Sequence, residues 1–77
     1  MRYTIRILRS AQTELDAIRP FHRNRILDAI EEFLRYEPTV ETSRRVRLAP
    51  GEGIEAAGVA WELRVGDWRV FYRIERR

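Results

Sequence analysis

Cysteine is absent from the 77 residues, and so is lysine. Without cysteine there is neither a disulfide framework nor a thiolate metal site. The lack of lysine excludes a lysine base and any Schiff-base chemistry. His22 is the sole histidine, too little for a histidine-built metal centre. No cofactor is expected. No apolar run approaches the roughly 20 residues of a membrane span. The first residues also lack the long apolar core of a secretory signal. The expectation is therefore a cytoplasmic protein with no membrane partner.

What is present is arginine. It accounts for all fifteen basic residues, against twelve acidic ones, for a net charge of +3. A GC-rich genome favours arginine codons over lysine codons, which is one reason for this bias. Guanidinium groups also suit bidentate phosphate recognition better than ammonium groups do. The length points to one domain, residues 1–77, of marginal stability.

Hydrophobic periodicity orders the chain. From Tyr3 to Leu8, Tyr3, Ile5 and Ile7 alternate with Arg2, Thr4 and Arg6. That reads as a half-buried first strand. Ser10 suits the N-cap of a short helix carrying Ala11, Leu15 and Ile18. Arg19-Pro20 breaks it. Pro20 then fits the first turn of a second helix. Its apolar stripe is Phe21, Ile26, Leu27, Ile30, Phe33 and Leu34. Glu37-Pro38 ends it. Arg44 to Leu48 is a short extended or loop segment rich in arginine. Pro50-Gly51-Glu52-Gly53 is loop chemistry.

The last stretch is the most informative. Trp61 to Glu75 reads as two strands around a tight Gly66-Asp67 turn. Folding there sets Val65 against Trp68, Leu63 against Val70 and Trp61 against Tyr72, an apolar face. The opposite face carries Arg64 against Arg69, Glu62 against Phe71 and Ala60 against Arg73. Like charges directly opposite repel. An arginine pair so held suggests an anionic partner. Glu62 reads as an ion-pair partner of Arg64 or Arg73 before it reads as a base.

The expected architecture is α+β. A small antiparallel sheet of three to four strands carries an N-terminal helical hairpin on one face. Arg2, Arg6, Arg64, Arg69 and Arg73 would share the other face, with the Arg44 to Arg47 segment nearby. Such a concentration is the footprint of an anion-binding surface.

The pattern Trp61-x-Leu63-Arg64-Val65-Gly66-Asp67-Trp68-Arg69-Val70-x-Tyr72-Arg73-Ile74 resembles the signature of the RelE/ParE superfamily of bacterial toxins. The resemblance implies the toxin of a type II toxin–antitoxin system, neutralised by a cognate antitoxin protein. RelE-like members cleave mRNA on the ribosome; ParE-like members inhibit DNA gyrase without that catalytic set. The resemblance to RelE makes Arg69 the phosphate-stabilising residue and Arg64 its basic neighbour. Arg44, Arg45 and Arg47 resemble the basic stretch that contacts RNA in the family, and Arg2, Arg6 and Arg73 join them as nucleic-acid-binding candidates by their expected place on the basic face. Two lysines that some RelE enzymes place around Ala60 and Glu62 are missing. Family members usually continue beyond the equivalent of Arg77 with a strand and a tail that supply an arginine and a general acid.

Three functional expectations follow. The first is a RelE-like mRNA interferase, acting on the ribosome, with weakened catalysis. The second is a ParE-like inhibitor of a protein target such as gyrase. The third is a truncated, inactive relative. A bare C-terminal strand edge would also invite a second copy of the chain or an antitoxin strand to pair with it.

Overall fold

The computed structural model describes residues 2–49 and 58–75. The expected Pro50 to Gly53 loop lies outside them. Two helices precede three strands: α1 (Arg9–Asp16), α2 (Pro20–Leu34), β1 (Arg45–Arg47), β2 (Trp61–Val65) and β3 (Trp68–Tyr72). The strands form one antiparallel sheet in the order β1-β2-β3. Two helices followed by a three-stranded antiparallel sheet make the expected small α+β fold, and the chain divides into two compact units, Met1–Glu37 and Pro38–Arg77.

In the first unit, α1 starts earlier than Ser10 suggests. Leu8 is its N-cap, without a side-chain cap, and Ser10 lies inside the helix. The bond from the Gln12 N–H to the Leu8 carbonyl, 2.9 Å, closes the first turn there. α2 starts at Pro20, whose fixed φ and missing N–H suit the first helical position. Leu15 of α1 is buried, as are Ile26, Ala29, Ile30 and Leu34 of α2. Phe21 departs from the expected stripe and is 69% exposed. Its ring meets His22 edge-on at 5.3 Å, and His22 is half-buried, not exposed.

The expected strand over Tyr3 to Leu8 does not form. Alternation selects a face, but a strand also needs a neighbour for its backbone groups. At Tyr3 those groups go to the end of α2. The Tyr3 N–H donates to the Arg35 carbonyl at 2.6 Å, and Arg35 Nη1 donates to the Tyr3 carbonyl at 3.2 Å. Arg35 also pairs with Glu31, one turn earlier on α2. That contact holds the Glu31 carboxyl below its usual range.

The third strand of the sheet comes instead from Arg45–Arg47. Thr42 prepares it. Its hydroxyl accepts the N–H groups of Arg44 and Arg45, and its own N–H donates to the Arg45 carbonyl at 2.9 Å. Pairing to β2 runs on past the strand ends. The Arg64 N–H donates to the Arg44 carbonyl at 2.8 Å, and the Leu48 N–H to the Ala60 carbonyl at 2.9 Å.

The β2-β3 hairpin has the expected register, from Trp61 opposite Tyr72 to Val65 opposite Trp68. Gly66 takes a φ of +58°, while Asp67 has a negative φ. That is the glycine-first pattern of a type II′ turn, whose twist matches the strands it joins. Trp61, Leu63 and Val65 are buried, Leu63 completely. Trp61 stacks on Tyr72, with centroids 6.1 Å apart and planes at 21°.

Tyr72 ties the hairpin to the start of its unit. Its hydroxyl donates to the Pro38 carbonyl at 2.6 Å. Burial pushes its phenol up to about 12, with the Arg45 charge pulling weakly the other way. An unfolded tyrosine titrates near 10. The fold therefore favours the neutral phenol. Its contribution is complete below about pH 10 and is lost as pH rises through about 12. Urea denaturation of the wild type and Tyr72→Phe at pH 9 and pH 11 checks this. The stability advantage of the wild type is expected to shrink at the higher pH. An advantage equal at both would contradict the assignment.

Candidate functional site: an arginine row bridged by Glu62

Side chains on a strand alternate between faces, and directly paired residues share one. The register therefore sorts the described arginines of the second unit between the two faces. Arg45 pairs with Leu63, and Arg47 with Trp61. Both arginines thus belong to the face of the buried residues. Arg45 is only 7% exposed, and its Nε donates to the Val40 carbonyl at 2.7 Å. The Arg47 guanidinium stands 5.6 Å over the Trp61 ring, within cation–π range. Neither lies on the face of Arg64 and Arg69.

The opposite face is built in rows. Arg64 faces Arg69 across the hairpin. Arg44, bonded through its carbonyl to the Arg64 N–H, extends that row on the β1 side. The next row is Val46, Glu62 and Phe71. Beyond it, by the same register, come Leu48, Ala60 and Arg73. Arg73 is paired with Glu75 at 3.0 Å. Arg2 and Arg6 belong to the first unit, in irregular backbone ahead of α1.

Two like charges face each other at Arg64 and Arg69, and the chain supplies the anion between them. Glu62 Oε1 lies 2.9 Å from Arg69 Nε, and Glu62 Oε2 lies 3.4 Å from Arg64 Nε. Arg64 is two residues on along β2; Arg69 is the diagonal neighbour on β3. One carboxylate thus bridges both. Its side chain is 10% exposed, whereas those of Arg64 and Arg69 are 47% and 50% exposed.

This bridge is what sequence reasoning missed. It pointed to Arg64 or Arg73 as the partner of Glu62; the structure pairs Glu62 with Arg64 and Arg69. The signal was present, because an i,i+2 pair and a diagonal pair both follow from the hairpin register. The apolar flank was missed too. Val46 and Phe71 sit on either side of Glu62, and Phe71 is 46% exposed.

Chemically, the site is a cationic row with a built-in counter-ion and an apolar border. RNA cleavage by an attacking 2′-hydroxyl needs a base, a cation at the phosphate and an acid for the leaving oxygen. The Tyr72 hydroxyl is committed to Pro38 and lies on the other face. Among the described residues, no cluster of His, Cys, Asp and Glu could hold a metal ion. Nor is any described helix long and apolar enough to cross a membrane.

A family model described as the ParE toxin of the type II toxin–antitoxin system, parDE, matches residues 5–77. No curated protein and no solved structure matches the chain. The match takes in α1, α2, all three strands and every arginine of the row. Membership of this family implies an antitoxin as partner. With its helix pair, its three-stranded antiparallel sheet and its glycine-aspartate hairpin, the chain belongs to the ParE toxin family, within the RelE/ParE superfamily of type II toxins.

Proposed function

We propose that this toxin arrests growth by binding a protein target such as DNA gyrase, without cleaving RNA. The observation that carries this reading is the double bridge from Glu62 to Arg64 and Arg69. A phosphate-stabilising arginine works by meeting charge that develops in the transition state. Arg69 already meets a carboxylate. The exposed Phe71 beside the bridge supports the same reading, since aromatic residues are enriched in protein interfaces. Arg45, buried and bonded to the Val40 carbonyl, leaves one cation fewer for an RNA backbone. Neutralisation by the antitoxin completes the system.

The arginine row of Arg44, Arg64 and Arg69 favours the second reading, ribosome-dependent cleavage of message. In that reading Arg69 and Arg64 are catalytic, while Arg44 and Arg73 hold the RNA. One experiment separates the two. The chain is expressed from a tightly controlled promoter, growth is followed, message integrity is read by primer extension, and purified protein is added to a gyrase supercoiling assay. Growth arrest with intact message and inhibited supercoiling is expected. Cut message that becomes intact in Arg69→Ala would replace this reading with the interferase.

A further inference from the structure

The Arg64 and Arg69 pair poses a problem that the chain solves internally, and the solution has a consequence for binding. Opposed guanidinium groups on an open sheet face attract anions of any kind, phosphate polymers above all. Here the anion is Glu62, whose two oxygens each take one Nε. The carboxylate occupies the place between the two arginines. Its position is well defended. Val46 and Phe71 flank it in register, and it is far less exposed than the arginines it bridges.

We infer that Glu62 is the specificity-determining residue of this face, an internal stand-in for phosphate that denies the arginine row to nucleic acid. The inference deepens the proposed function, because it says why a face with this many arginines serves a protein target. With Glu62 ionised, the local charge of the Glu62, Arg64 and Arg69 group is +1. Without it, the same group carries +2, and Arg44 lies at the end of the row. A phosphate polymer then gains one to two contacts. For single strands, each contact steepens the fall of log affinity with log salt by about 0.7.

Two variants test this: Glu62→Gln, which keeps the shape, and Glu62→Val, which suits a strand and adds no hydrogen-bonding group. Binding of a fluorescent 12-mer of oligouridylate is measured by anisotropy for the whole chain, between 50 and 300 mM salt. Thermal melts accompany each titration. The expected result is weak binding by the wild type and an affinity gain of about tenfold at low salt in both variants. The salt slope should steepen by about 1. Adding Arg69→Ala to Glu62→Gln should cancel most of the gain. Wild-type affinity and slope in a folded Glu62→Gln or Glu62→Val protein would overturn the inference. So would a gain that survives Arg69→Ala.

The two proposals fail separately. Cut message with the wild type sinks the proposed function, whatever Glu62→Gln binds. Intact message with no gain in Glu62→Gln sinks only the role given to Glu62.

Discussion

Trp61→Ala is expected to unfold the protein, or nearly so, at a cost of about 3–5 kcal/mol. Trp61 is 5% exposed and stands opposite Tyr72 in the hairpin register. Its removal takes away the stacked ring pair, the platform under Arg47 and a large buried surface together. Aromatic pairs contribute about 0.5–1.5 kcal/mol beyond the area they bury. A chain of this size has on the order of 4–12 kcal/mol of total stability. One residue then carries a large share. Urea unfolding followed by circular dichroism reads the effect. A loss below about 1 kcal/mol would mean that the hairpin's buried face is not where its stability resides.

The second large effect separates two adjacent arginines. Arg45→Ala is expected to cost about 1–3 kcal/mol, because it removes a buried guanidinium together with its bond to the Val40 carbonyl. The aliphatic stem of Arg45 is lost from the buried face as well. Arg44→Ala, at an exposed neighbouring position, should stay within about 0.5 kcal/mol. In a domain this small, each 1 kcal/mol moves the melting temperature by about 4–8 °C. Scanning calorimetry of the two variants side by side makes the comparison. Equal melting temperatures would return Arg45 to the surface and to the RNA-facing set that the sequence suggests.

These arginines mark where sequence reading stops. Arg44, Arg45 and Arg47 read in the sequence as one arginine-rich extended or loop segment near the basic face. The structure divides them between two faces. Val46 shares a face with Glu62 and Phe71, while Arg45 and Arg47 share one with Leu63 and Trp61. Which face each takes depends on the pairing with β2, and a slip of one residue would exchange them all. Nothing within the segment sets that register. It is set by Thr42 ahead of the strand and by backbone bonds to Ala60 and Arg64. The first strand failed for a related reason. Tyr3 to Leu8 has the right alternation, but Tyr3 spends its backbone groups on Arg35, thirty-two residues away.

The hairpin, by contrast, was legible in the sequence down to its register. Its strands are joined by two residues, so the turn chemistry of Gly66 and the alternation on either side leave one alignment that buries Trp61, Leu63 and Val65 together. The second helix was legible for a similar reason, with proline at its start and an apolar stripe at helical spacing. The sequence alone thus determined the elements whose causes lie within a few residues of each other, and with them the family signature. Only the tertiary structure decided which segment became the third strand, which arginines turned inward, and that one carboxylate bridges the two that stayed outside. Those outcomes depend on groups distant along the chain, and a linear pattern names the charges without saying which of them will meet.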